Sequence, residues 1–447
     1  MTKPAKVIAL FAVLLVAAAC GPTAQALHPT LPPRAGGTPG TPVFPAPPSA
    51  VVGPPAPATS TSPAVLPSAP SGGSASPLPP GIGQQIANFP QADAYQVSGV
   101  VPIGDGFLAV GYGPLPGHPD SDLDQALIWT SPDGMTWRVS ADPALTGFTP
   151  DGVVTVGSDI YAYGDLTTCD SATDPSCPDS TTAIFKSSNG SGWEQLQQPA
   201  DIQQAIFDRV VGANGLLVAW GSAADQDETT TLWTSSDGIA WTSATDLAGM
   251  DELDSATAGG PGLLAFGMRT DQQSDAEALL GATSSDGVHF TAANTPNVPD
   301  GEIDDIVQGV PGYVGVGYGD SDVNPTLALA VASADGLTWV QATTSDNSFE
   351  NAYMSNVYPD SSGYVAVGST LDENDPDYQT LRAWTSADGH SWRTVGAVGA
   401  PYTDFGASAL GSHGLIAITE TENDTEDGSD VVSTLDAWFV PIGQLVP

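Results

Sequence analysis

The feature that most limits what this chain can fold into is a seven-residue pattern that returns six times. It begins as Ser131-Pro-Asp-Gly-Met-Thr-Trp137 and recurs at 187–193, 235–241, 284–290, 333–339 and 386–392. Each copy has Asp-Gly or Asn-Gly at its centre and an aromatic residue at its end. The aromatic positions 137, 193, 241, 290, 339 and 392 are spaced by 56, 48, 49, 49 and 53 residues. In the first copy, Leu127 to Thr130 reads as a strand and Trp137 opens a second one. Asp133-Gly134 suits the two-residue hairpin between them, which needs positive φ. The Asp or Asn side chain can accept from nearby backbone N–H groups and lock the turn, and the serine hydroxyl can do the same. The aromatic ring supplies a large apolar area where neighbouring sheets meet. On this reading Asp133, Asn189, Asp237, Asp286, Asp335 and Asp388 are structural.

A second pattern precedes each copy. Gly106-Phe-Leu-Ala-Val-Gly111 is matched by segments ending at Gly164, Gly221, Gly267, Gly317 and Gly368, and a seventh, Gly414-Leu-Ile-Ala-Ile-Thr419, leads to Trp438. One unit thus reads as four short strands, exemplified by Val97 to Ile103, Phe107 to Val110, Leu127 to Thr130 and Trp137 to Ser140. Four strands per unit at a period near 50 indicate a β-propeller. The expected fold is all-β, a seven-bladed β-propeller of four-stranded antiparallel blades over residues 86–447. The outermost strand of blade seven is expected either at Gln444 to Val446 or from the segment Ile86 to Phe89, which would close the ring and remove an exposed edge.

The chain carries 51 acidic residues against 9 Lys+Arg, a formal charge of −42. Nucleic acid needs cationic partners, so nucleic-acid binding is set aside. With 50 Gly and 40 Pro, the composition favours short strands and turns.

Residues 1–19 read as an export signal. Lys3 and Lys6 precede the apolar run Val7 to Val16, which is too short to span a bilayer. Residues 20–85 read as a disordered tether: 18 prolines fall between Pro22 and Pro80, and Arg34 is the only charged residue. Such a segment buries too little apolar surface to offset its ordering entropy. Three cysteines divide into Cys20 and a pair, Cys169 and Cys177, expected as a disulfide in an exported protein.

Two resemblances follow from these residues. Ala17-Ala-Ala-Cys20 resembles the lipobox of bacterial lipoproteins, which implies cleavage before Cys20 and a diacylglycerol on its sulfur. The chain would then be anchored to the bacterial cell membrane by its lipid, facing outside the cytoplasm. The Ser-x-Asp-Gly-x-Thr-Trp pattern resembles the Asp box, or BNR repeat, of bacterial sialidases and related propellers, with one residue fewer between Asp and Gly. That family's hydrolases use three arginines, a Tyr–Glu pair and an Asp, and the first arginine sits in an Arg-Ile-Pro motif. This chain lacks the motif, and Arg209, Arg269 and Arg382 fall in blades three, four and six.

In a propeller, the connections between strands two and three lie on the face where such families bind ligands. Here they are acidic, as in Asp120 to Asp124, Asp225 to Glu228, Asp271 to Glu277, Asp320 to Asp322, Asp372 to Asp377 and Glu420 to Asp430. Aligning the inner strands gives the column Ser98, Asp151, Phe207, Asp254, Asp304, Ser355 and Gly406, with Asp208 and Asp305 one position on. Crowded carboxylates need a cation or raised pKa values. Asp151, Asp254 and Asp304 are therefore the candidate metal ligands, with Ca2+ the candidate ion. Tyr112, Tyr318, Tyr358, Tyr378 and Tyr402 are candidate contacts for a protein or glycan on the acidic face. The expected protein is a monomeric, non-catalytic binding or scaffold module; the alternative is a sialidase-like glycoside hydrolase.

Overall fold

The computed structural model describes residues 81–446 apart from 92–93, 95, 119–120, 122, 171–175, 178–179, 225, 272–275, 299, 320–326, 345–347, 372–378, 403 and 425–430. The chain divides into a unit over 1–43, outside the described residues, and a unit over 44–447 that holds everything described below. The export signal, Cys20, the tether to residue 80 and Tyr378 lie outside the described residues, as do parts of every acidic connection.

Seven antiparallel sheets follow one another along the chain, each with consecutive strands as neighbours. Blade one runs Gln96–Ile103, Gly106–Pro114, Asp124–Ser131 and Arg138–Thr146 from the centre outwards. Inner strands of the later blades are Phe148–Val156, Ile206–Ala213, Glu252–Gly259, Gly301–Gln308, Ala352–Asp360 and Asp404–Gly411. This is the expected seven-bladed propeller. Blade six gains a fifth strand, Thr343–Thr344, which pairs in parallel with Ser391 and Trp392.

The N-terminal segment closes the ring, two residues earlier than expected. Gln84–Gln85 pairs with Phe439 and Trp438, and residues 442–444 form a 3-10 turn instead of a strand. Ile86 and Phe89 are buried beneath that pairing, beside Trp129 and Trp137. The Gln91 carboxamide adds two bonds to the edge, accepting from Leu435 N at 2.9 Å and donating to Leu435 O at 2.8 Å.

The core is seven separate clusters, one between each pair of neighbouring blades. Second strands feed two clusters at once: Phe107 and Ala109 face blade seven, while Leu108 and Val110 face blade two. A strand buried on both faces must be apolar at every position, which is why the second pattern is a continuous run.

The Ser-x-Asp-Gly turns behave as clamps. In the first, Ser131 Oγ accepts from Gly134 N at 2.9 Å, and Asp133 Oδ1 accepts from Met135 N at 2.9 Å and Thr136 N at 2.7 Å. Trp137 Nε1 donates back to Gly134 O at 2.9 Å, and its ring enters the cluster shared with blade seven. The glycines sit at φ between 74° and 78° in all six turns. These bonds hold Asp133, Asp237, Asp286, Asp335 and Asp388 below the usual carboxylate range.

Cys169 and Cys177 are joined by a disulfide, with Cα atoms 5.8 Å apart, in the second-to-third strand connection of blade two.

Candidate functional site

Each inner strand slips by one residue against its neighbour, at the same place in all seven blades. The slips fall between Val97 and Gly99, Pro150 and Gly152, Phe207 and Arg209, Leu253 and Ser255, Ile303 and Asp305, Met354 and Asn356, and Phe405 and Ala407. A β-bulge of this kind leaves one residue unpaired and re-aims its side chain. The seven bulged residues are Ser98, Asp151, Asp208, Asp254, Asp304, Ser355 and Gly406, and all line one axial cavity of about 620 Å³.

In six of the seven blades the second glycine of the repeated apolar pattern leaves room for the bulge; in blade seven Thr419 stands at that position. A Cβ on Gly267 would lie 2.0 Å from Glu252 O, and one on Gly317 would lie 2.0 Å from Glu302 O. The inner strand crosses too closely for any side chain there. Thus a glycine in the second strand sets the geometry of an aspartate in the first.

The ring differs from its expected composition at one position. Asp208, rather than Phe207, occupies the bulge of blade three; Phe207 turns into the core between blades two and three. Four consecutive blades, two to five, therefore present Asp151, Asp208, Asp254 and Asp304. Blades six, seven and one present Ser355, Gly406 and Ser98. The cavity has an acidic half and a neutral half.

Burial, more than any other cause, drives all four carboxyl groups upward. Asp151 is pushed to about 6, with a further contribution from Asp165. Asp208 is raised by burial alone. Asp254 is pushed to about 9 by burial and by the neighbouring charges of Glu302, Glu252, Asp304 and Glu277. Asp304 lies well above its ordinary value because of burial and of Glu302, which also shares a hydrogen bond with it. Asp254 Oδ2 and Ser98 Oγ are buried without a hydrogen-bond partner.

Asp305, one residue beyond the bulge, has a different role. Its carboxylate accepts from Val357 N of blade six at 2.9 Å and from Ile306 N at 3.0 Å. Arg209 of blade three approaches it from across the cavity, Nη2 to Oδ1 3.6 Å, and donates from Nη1 to Asp304 O at 2.6 Å. Asp305 is thereby a strut between blades; the Arg209 charge also reaches Asp304, where it partly offsets the upward push of burial and Glu302.

Asp151, Asp254 and Asp304, expected as metal ligands, share the cavity but come from blades two, four and five. Among the described residues, no three Asp, Glu, His or Cys side chains converge closely enough to hold a metal ion. A bulge spaces its residues by whole blades, so neighbours on the ring do not share one coordination sphere.

The candidate aromatics divide. Tyr402 is buried in the core and bonded to Ser369, and Tyr358 donates to Ser408 O of blade seven at 2.7 Å. Tyr318 donates to Glu302, beside Asp254 and Asp304. Tyr112 is half-buried in the second strand of blade one. The three arginines are not brought together. Arg209 engages Asp305, Arg382 is 4% exposed with Nε on Thr370 Oγ1 at 2.8 Å, and Arg269 is exposed near the end of a blade-four strand.

No family model matches the sequence, and no curated protein does. Solved structures align with the chain at low similarity. Trypanosoma rangeli sialidase in complex with sialic acid aligns at 13% identity and a TM-score of 0.38, covering 79% of this chain and 55% of that one. The β-propeller domain of the Trilobed protease from Pyrococcus furiosus aligns at 10% identity and a TM-score of 0.46, covering 77% and 94%. Pyrococcus horikoshii acylaminoacyl peptidase aligns at 9% identity and 0.46, covering 77% and 51%. The chain spans about half the length of the sialidase and of the peptidase.

Proposed function

We propose that this chain is an exported, lipid-anchored propeller that acts as a binding module at the bacterial cell surface, with its ligand site in the axial cavity. The observation that carries this reading is the run of four bulged aspartates, Asp151, Asp208, Asp254 and Asp304, on consecutive blades of one cavity. Buried carboxyl groups crowded in this way are relieved by holding protons, as Asp254 and Asp304 do, or by a cationic group that displaces those protons. Arg209, the cation lining the cavity, is held by Asp305. The ligand class is therefore a basic protein segment, whose Lys or Arg side chains enter the acidic half. The apolar run before Ala17-Ala-Ala-Cys20 and the proline-rich tether support the surface location.

Binding is tested with an oligolysine peptide titrated into the mature chain. Asp254→Asn and Asp304→Asn are expected to weaken it at least tenfold, whereas no binding by the unmodified chain refutes the reading. Anchoring is tested separately by fractionation: Cys20→Ser should release the chain from the membrane fraction.

A second reading, a sialidase-like glycoside hydrolase, draws on the Tyr318–Glu302 hydrogen bond beside Asp254. It requires arginines for an anionic sugar, and Arg209 and Arg382 are otherwise engaged. Hydrolysis of a fluorogenic sialoside, abolished by Tyr318→Phe, would favour it over the binding module.

A further inference from the structure

Glu302 and Asp304 stand two residues apart on the inner strand of blade five, and their carboxyl groups share a hydrogen bond. Glu302 lies directly opposite Tyr318 on the second strand, and the Tyr318 hydroxyl donates to it. An ionised carboxylate only accepts hydrogen bonds, so two carboxyl groups bonded to each other hold a proton between them. The Tyr318 hydroxyl favours the acceptor role for Glu302 and the donor role for Asp304. Asp304 lines the axial cavity, and Glu302 and Tyr318 do not. The shared proton therefore sits on the group that an entering ligand meets.

Asp254 of blade four stands beside this pair. It lines the same cavity, and its Oδ2 is buried without a hydrogen-bond partner. Glu252 bears on it from its own strand, Glu277 from the third strand of its blade, and Glu302 and Asp304 from blade five. Tyr318 also lies within its reach, and Asp208 of blade three shares the cavity. Burial first, and then the neighbouring carboxylates, push Asp254 up to about 9. Asp304 is raised by burial and then by Glu302, with Arg209 pulling the other way and Asp305 adding to the rise.

A cation that enters the cavity thus meets two carboxyl groups in their neutral form. To pair with it, Asp304 breaks its O–H bond, the proton leaves to water, and the new carboxylate accepts from the entering ammonium or guanidinium group. Asp254 does the same. We propose that cation binding in the axial cavity is gated by protons: a basic side chain takes the place of the proton that Asp304 shares with Glu302 and of the proton on Asp254, so the site fills as pH rises and empties in mild acid. This inference rests on the reading of the axial cavity as a site for a basic segment. Tyr318 is a positioning residue in it, because its hydroxyl holds Glu302 in the acceptor role beside Asp304. By linkage, each proton released makes affinity rise about tenfold per pH unit.

The test is calorimetric titration of N-acetylated oligoarginine into the mature chain at about pH 7.5, in phosphate and in Tris. Guanidinium groups do not titrate in this range, so any proton released comes from the protein. The two buffers take up a proton with different heats, and the difference in apparent enthalpy counts the protons released. About one to two protons should leave per bound peptide, and affinity should rise about ten- to a hundredfold per pH unit between about pH 6 and 8. Asp254→Asn should release about one proton fewer. Tyr318→Phe should move the affinity profile to higher pH, whereas an equal loss at every pH would overturn its part in the gating. Binding with equal apparent enthalpy in both buffers overturns the proposal and leaves the cavity reading standing. Absence of binding at every pH overturns both.

Discussion

Arg209 and Asp305 belong to blades three and five, yet their side chains meet inside the axial cavity, with Nη2 3.6 Å from Oδ1. The intervening blade contributes Asp254, which receives no such partner. One arginine thus stabilises the carboxylate that links blades five and six, while Asp254 keeps an unpartnered oxygen.

Removing Arg209 should leave Asp305 buried and uncompensated. Breaking a fully buried pair costs about 3–5 kcal/mol. The two side chains here are 31% and 13% exposed, so solvent screening lowers the expectation to about 1–3 kcal/mol for Arg209→Met. Chemical denaturation checks this. The loss should shrink in an Asp305→Asn background, since the two residues act on each other.

Stability should fall as pH rises from about 4 to about 9. Asp254 and Asp151 have folded-state pKa values raised to about 9 and about 6, above the ordinary 3.8. The folded chain then holds more protons than the unfolded one in that window, and the linked stability is lost as the pH climbs through the folded values. The turn aspartates act oppositely. Their lowered pKa values contribute stability above the ordinary value and lose it in acid. Thermal melts should show an optimum near pH ~4–5, and Asp254→Asn should flatten the alkaline slope.

The glycine behind a bulge should resist substitution. Gly317→Ala places a Cβ 2.0 Å from a backbone carbonyl, whereas Gly192→Ala meets nothing within 4 Å at a φ of 67°. The second should cost about 1 kcal/mol and the first clearly more, because the inner strand must move. Gly317→Ala should also weaken cation binding at Asp304, which Gly192→Ala should not.

The ring closure is testable at Phe89, 7% exposed between Trp129 and Trp137. Phe89→Ala should destabilise by about 3–5 kcal/mol. Gln91→Ala, which removes two half-buried bonds to Leu435, should cost about 1 kcal/mol.

Thr385→Val should melt no lower than the unmodified chain. It removes a hydroxyl that no group satisfies, so no bond is lost.

Much of this architecture is legible in the sequence because it is local. Ser131, Asp133, Gly134 and Trp137 form their bonds within seven residues, and that pattern recurs with the blade period. The apolar runs such as Phe107 to Val110 report burial on both faces. The site was legible only in part. Asp151, Asp254 and Asp304 fall on the aligned column, but a bulge adds one residue to each inner strand, and in blade three that shifts the column from Phe207 to Asp208. The sequence does carry a signal for the bulge, the closing glycine of six of the seven apolar runs, whose meaning emerges only when Glu252 O is seen against Gly267. The Arg209–Asp305 contact spans 96 positions across the cavity, and no periodicity encodes it. The closing strand lies two residues before its expected place, because Gln84 and Gln85 are exposed and carry no apolar mark.

The central claim is that four bulged aspartates form one cation-binding surface. Calorimetric titration of oligolysine into the mature chain at about 0.15 M salt, where exposed charges are screened beyond about 8 Å, tests it most directly. The chain should bind with a measurable enthalpy, the variant with Asp151, Asp208, Asp254 and Asp304 all changed to Asn should not, and Ser355→Ala on the neutral half should bind as before. Equal binding by the four-Asn variant would contradict the account.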